Sequence, residues 1–118
     1  MRMRTIGANH HMPKSVNLGP SLDFATITLA KKHFDPFRTD GALNQDVPPV
    51  QFDQLKLLYE RYCTDTNFPM PSAVTAFFPT MEKRSAGYTR CFGVRFADGF
   101  STTFSLDKAL SAVASVRV

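Results

Sequence analysis

The chain has 118 residues, about one domain by size, and its 43% apolar content excludes a wholly disordered polymer. A formal net charge of +4 permits contact with a phosphate backbone without demanding it. Two cysteines, Cys63 and Cys91, make no C-x-x-C pair, which argues against a disulfide framework and for free thiols in a reducing, cytoplasmic setting.

Residues 1–20 carry Arg2, Arg4 and Lys14 and no acid, with Gly7, Pro13, Gly19 and Pro20 breaking any period. A flexible basic tail is expected there, followed by a single α+β domain over 21–118. The opening residues lack the apolar stretch of a secretory signal, and no apolar run is long enough to span a membrane.

Leu22-Asp23-Phe24 reads as a short extended lead-in. Thr26 or Thr28 can cap a helix running to about Phe34, since Ile27, Ala30 and Phe34 share one helical face. Pro36 is expected to end it. After a loop containing Pro48-Pro49, a second helix is predicted from about Val50 to Cys63, with Phe52, Leu55, Tyr59 and Tyr62 as its stripe. Residues 64–73 read as a polar loop. Val74 to Phe78 reads as a strand stopped by Pro79, followed by a basic connection through Lys83, Arg84 and Gly87.

Thr89 to Phe96 and Phe100 to Ser105 form two strand patterns around Asp98-Gly99. A two-residue Asp-Gly turn would mix Phe with polar residues on both faces. A three-residue loop, Ala97-Asp98-Gly99 with Gly99 left-handed, sets Phe96 against Phe100, Val94 against Thr102 and Phe92 against Phe104. One face then gathers Phe92, Val94, Phe96, Phe100, Thr102 and Phe104, and the other Cys91, Gly93, Arg95, Ser101, Thr103 and Ser105. Because a one-residue slip moves every side chain to the opposite face, this segregation selects the bulged turn. Ser105 is placed to cap a third helix, Leu106 to about Val116, with Leu106, Leu110 and Val113 facing inward. The expected fold is a small antiparallel sheet with a C-terminal bulged hairpin, one face covered by about three helices.

Catalytic spacing is lacking. The His residues, His10, His11 and His33, and the two cysteines do not converge as zinc ligands. Ser105-Leu106-Asp107-Lys108 matches S-x-x-K in letters, but its position before an apolar stripe marks it as a helix cap. Cys91 beside Arg90 has the makings of a reactive thiol, but reads better as a small strand residue. The expectation is a non-enzymatic protein without metal or cofactor. The functional lead is basic: Lys83 and Arg84 before the hairpin, Arg90 at its mouth, Arg95 on its polar face and Tyr88 as a stacking ring. These are expected to lie within one edge and face of the sheet, where Arg and hydroxyls suit phosphate or 2′-hydroxyl contacts.

The run Thr89-Arg90-Cys91-Phe92-Gly93-Val94-Arg95-Phe96-Ala97-Asp98-Gly99, followed by Thr103-Phe104-Ser105-Leu106-Asp107-Lys108-Ala109, resembles the DCL (defective chloroplasts and leaves) domain family. Its R-C-F, hydrophobic strand, D-G, F-S and Lys-bearing helix occur in that order. The opening helix from Phe24-Ala25-Thr26 to Phe34 and the helix from Leu55 to Tyr62 fall at matching places, so the resemblance spans about 22–112. The hairpin alone is specific. Phe78-Pro79 and Lys83 with Gly87 are loose equivalents of the family's His-Pro and Lys-x-Gly, and Thr103 stands where the family has an acid. The resemblance implies a stand-alone bacterial or phage-like version with RNA-linked biology, such as ribosomal RNA maturation or transcription, and no catalytic residues. The expected partner is structured RNA. The alternative is a protein-interaction module docking on RNA polymerase or a ribosome-associated factor.

Overall fold

A computed structural model of the chain describes residues 14–116. In order, β1 (Lys14–Asn17) and β2 (Asp23–Phe24) lead into α1 (Ile27–Thr39) and α2 (Pro49–Asp65). Then follow β3 (Val74–Arg84), β4 (Gly87–Phe96), β5 (Ser101–Phe104), α3 (Leu106–Val113) and β6 (Ser115–Val116). The main sheet is antiparallel in the order β3-β4-β5, and a second small sheet pairs β2-β1-β6. The architecture is α+β, with the three helices packed on the main sheet. Among the described residues no helix is long and apolar enough to cross a membrane.

The bulged hairpin has the expected register: Phe92 pairs with Phe104, Val94 with Thr102 and Arg95 with Ser101. Gly99 takes φ +90°, and its N–H donates to the Phe96 carbonyl at 2.9 Å. The aromatic face is the core face. Phe77, Phe92, Val94, Phe96 and Phe104 are buried with Phe34, Leu55, Leu58, Tyr59, Leu106 and Leu110. The rings of Phe92 and Phe104 stack at 5.5 Å, and Tyr59 lies 4.9 Å from Phe104.

Two caps form as the sequence implies. The hydroxyl of Thr26 accepts from the Leu29 N–H at 3.1 Å, and that of Ser105 from the Lys108 N–H at 3.2 Å. Both satisfy first-turn donors that have no intrahelical acceptor.

Four expectations are corrected. Residues 14–20, assigned to the tail, contain β1, whose Val16 is fully buried and whose neighbour Leu18 is nearly so. Residues 1–13 lie outside the described chain. β1 is held by a strand from the far end of the sequence: Ser15 pairs with Ser115 and donates its hydroxyl to that residue's carbonyl. α3 accordingly stops at Val113, and Ser115–Val116 turns away as β6.

Pro36 does not end α1, which runs on to Thr39. The hydrogen bond Pro36 forfeits would have gone to the carbonyl of Lys32, and both residues are exposed, so water can serve that carbonyl. Phe37 packs one turn further on, against Phe34 at 5.7 Å.

Pro79 does not stop β3, which continues to Arg84 and turns through Ser85-Ala86 into β4. β3 is an edge strand. The carbonyls of Phe77 and Pro79 point away from β4 and accept from Val47 N–H at 2.9 Å and Asn44 N–H at 2.7 Å. The nitrogen of Pro79 therefore also lies on the outer edge, where its missing donor costs the β3–β4 ladder nothing.

Candidate functional site

The five residues singled out in the sequence fall into three settings. β-strand parity decides which can act together, because successive side chains alternate between faces. Tyr88 and Arg90 share the face of Phe92, the helix side. Lys83 pairs with Tyr88 and joins that face. Arg84 and Arg95 lie on the opposite face. The expectation of one basic edge and face is therefore not met.

Arg90 is engaged inside the fold. Its guanidinium donates to the carbonyls of Arg38 at 2.9 Å and Gly41 at 3.1 Å, at and just past the end of α1. These carbonyls have no intrahelical donor, and Arg90 supplies one from β4. Arg38 returns a hydrogen bond to the Arg90 carbonyl at 3.4 Å, so the helix end and the strand are tied in both directions.

Arg95 is engaged on the other face. It reaches Asp46 at 3.2 Å, and its guanidinium carbon lies 5.1 Å from the centre of the Phe78 ring. That combination of an ion pair and a cation–π contact holds the loop before α2 against the outer face of the sheet.

Lys83, Arg84 and Tyr88 lie at the end of the β3–β4 hairpin, Arg84 on the face opposite the other two, where the hairpin continues as two strands beyond the Phe92–Phe104 pair at which β5 stops. Tyr88 is 68% exposed. Arg84 pairs with Glu82 at 3.2 Å, whereas the side chain of Lys83 has no ion-pair partner among the described residues.

Beside this end, where β5 gives way to α3, lies a cleft of about 330 Å³. Tyr62 and Phe68 from the end of α2 form one wall, Glu82 and Arg84 another, and Thr103, Ser105 and Lys108 complete it. Glu82 is fixed within it, accepting from the Thr103 hydroxyl at 3.0 Å and from Arg84. The ammonium of Lys108 has no ion-pair partner among the described residues.

Phe68 is positioned by the way α2 ends. Asn67 takes a left-handed φ of +55°, its N–H donates to the Thr64 carbonyl at 3.2 Å, and the Phe68 N–H donates to the Cys63 carbonyl at 2.8 Å. These two bonds are the Schellman closure of a helix. They hold Phe68 at 56% exposure directly after the helix. In sequence, residues 64–73 read as a plain polar loop that does not single out Phe68. The available signal was an aromatic residue following an Asn at a helix end.

Cys91 lies on the face opposite the aromatic core, yet it is buried. Burial pushes its thiol up from the ordinary value, Glu82 adds to this, and Arg84 and Arg38 act the other way. A buried, protonated thiol lacks the thiolate character of a nucleophile. The net direction is opposite to the lowering by a neighbouring Arg considered from sequence.

The chain matches no protein-family model, no curated protein and no solved structure.

Proposed function

We propose that this protein is a non-enzymatic RNA-binding domain whose contact surface is the β3–β4 hairpin end and the adjoining cleft. The observation that carries this reading is the cleft that brings Arg84 and Lys108 beside the exposed ring of Phe68, with Lys83 and the exposed Tyr88 at the adjoining hairpin end. Cations serve the phosphate backbone, and exposed aromatic rings beside them serve unstacked bases. The likeness of the β4–β5 hairpin to the DCL domain points to the same class of partner and to a role in ribosomal RNA maturation or transcription. Arg90 and Arg95 drop out of the contact set, since their guanidinium groups are committed within the fold.

The test is fluorescence anisotropy with labelled structured and single-stranded RNA at two salt concentrations. Binding releases counterions, so affinity falls with salt in proportion to the phosphates contacted. A Lys83→Ala/Arg84→Ala double variant is expected to flatten that salt dependence. No binding to either RNA at low salt would overturn the proposal.

A second reading, a docking module for an RNA-associated protein complex, draws support from Phe68, Met70 and Met81, which are exposed apolar residues. Retention of a protein partner after nuclease treatment, together with no RNA binding by the pure chain, would favour it.

A further inference from the structure

The cleft beside the hairpin combines three kinds of group. Phe68 and Tyr62 offer ring faces, Arg84 and Lys108 offer cations, and Glu82 offers a carboxylate fixed by two neighbours. Its volume of about 330 Å³ sits at the low end for small-ligand sites and suits one nucleotide rather than a length of chain.

Glu82 decides which nucleotide. An ionised carboxylate only accepts hydrogen bonds, and it takes two parallel donors well. Each of its oxygens accepts one bond within the protein and keeps a further lone pair. Among the four RNA bases, guanine alone presents two adjacent donors on its Watson–Crick edge, the N1–H and the N2 amino group. Adenine and cytosine each place a ring-nitrogen acceptor beside their amino group. Uracil flanks its single N–H with two carbonyls. Those acceptors would face the carboxylate and be repelled.

Resting on the RNA-binding reading, we infer that this cleft seats one unstacked guanine nucleotide of a single strand. The base lies against Phe68 and Tyr62 with its edge on Glu82, and its phosphate is met by Arg84 and Lys108.

The experiment uses the full chain and two labelled uridine-rich oligonucleotides, one with a single central guanosine and one without. The guanosine-containing strand is expected to bind about tenfold more tightly. Glu82→Gln is expected to abolish that preference, read as the ratio of the two strands' affinities, whatever it does to their common level. Phe68→Ala, at an exposed position, is expected to weaken both strands about tenfold through lost stacking. Replacing guanosine by inosine, which lacks the N2 amino group, probes the same contact without altering the protein and is expected to remove most of the preference. Equal affinity for the two strands, or a preference that survives in Glu82→Gln, overturns the inference while the RNA-binding reading stands. Failure of both strands to bind at low salt removes that reading and this inference together.

Discussion

The ring of Phe78 occupies the space where any side chain on Gly93 would have to begin. The two residues are register partners across β3 and β4, and a Cβ on Gly93 would lie 2.2 Å from Cε2 of Phe78 and 2.3 Å from its Cζ. Arg95 holds the same ring from beside Gly93 on β4. Gly93 is thus required by close approach on the outer face of the sheet. Gly93→Ala is expected to destabilise the fold by about 1–3 kcal/mol, as overpacking does. In urea denaturation, the effect should shrink when Phe78→Ala is added, because the two substitutions share one contact.

Arg90 and Lys83 separate stability from binding. Arg90→Ala removes donors to the carbonyls of Arg38 and Gly41 and is expected to cost about 1.5–3 kcal/mol in a thermal or denaturant melt. It should leave the slope of RNA affinity against salt unchanged. Lys83→Ala makes the opposite pattern: stability within about 0.5 kcal/mol of wild type, and a slope reduced by about 0.7 for a single-strand phosphate contact.

Asn67 links the end of α2 to the position of Phe68. Asn67→Gly keeps the left-handed conformation accessible and should be close to neutral. Asn67→Val places a branched side chain at φ +55° and is expected to cost about 1–2 kcal/mol. It should also weaken single-stranded RNA binding, because the closure that seats Phe68 is strained. Circular dichroism melts and anisotropy on the same samples read both effects.

Burial raises the thiols of Cys63 and Cys91 above the ordinary 9.0. The unfolded chain therefore releases these protons at lower pH than the folded chain does. Their contribution to stability is full below the unfolded thiol value and is lost as pH rises above it through the folded values. The melting temperature, in this respect, should be level around neutral pH and fall above about pH 9. Native-state labelling by a disulfide-exchange reagent at neutral pH should be slow, and should become fast on unfolding.

The sequence makes some of this architecture legible and hides the rest for physical reasons. The β4–β5 register was readable because only one turn length puts Phe92, Val94, Phe96 and Phe104 on a common face. The Ser105 cap was readable because donor, acceptor and apolar stripe are all local. Pro36 and Pro79 misled because their effect depends on which way a missing N–H points, and only tertiary placement sets that. β1 was hidden because β6, one of its partner strands, lies at the other end of the chain and each is too short to show a period. The basic surface was half legible. Parity on β4 separates Arg90 from Arg95, and the register of Arg84 with Gly87 puts Arg84 with Arg95. The commitment of Arg90 to carbonyls of α1 needs the packed helix to be seen.

The covered edge of β3 has a consequence for the behaviour of many copies at once. An unpaired strand edge is a template onto which a second chain can add. Here the outward carbonyls of Phe77 and Pro79 are already taken by Val47 and Asn44, and Pro79 offers no donor. An incoming strand finds those two acceptors occupied and no donor at Pro79. Further out, Lys83 has no ion-pair partner among the described residues, and a charged side chain on an edge strand discourages addition. The residue that most resembled a strand breaker is thus part of what makes this edge a poor template for a second copy.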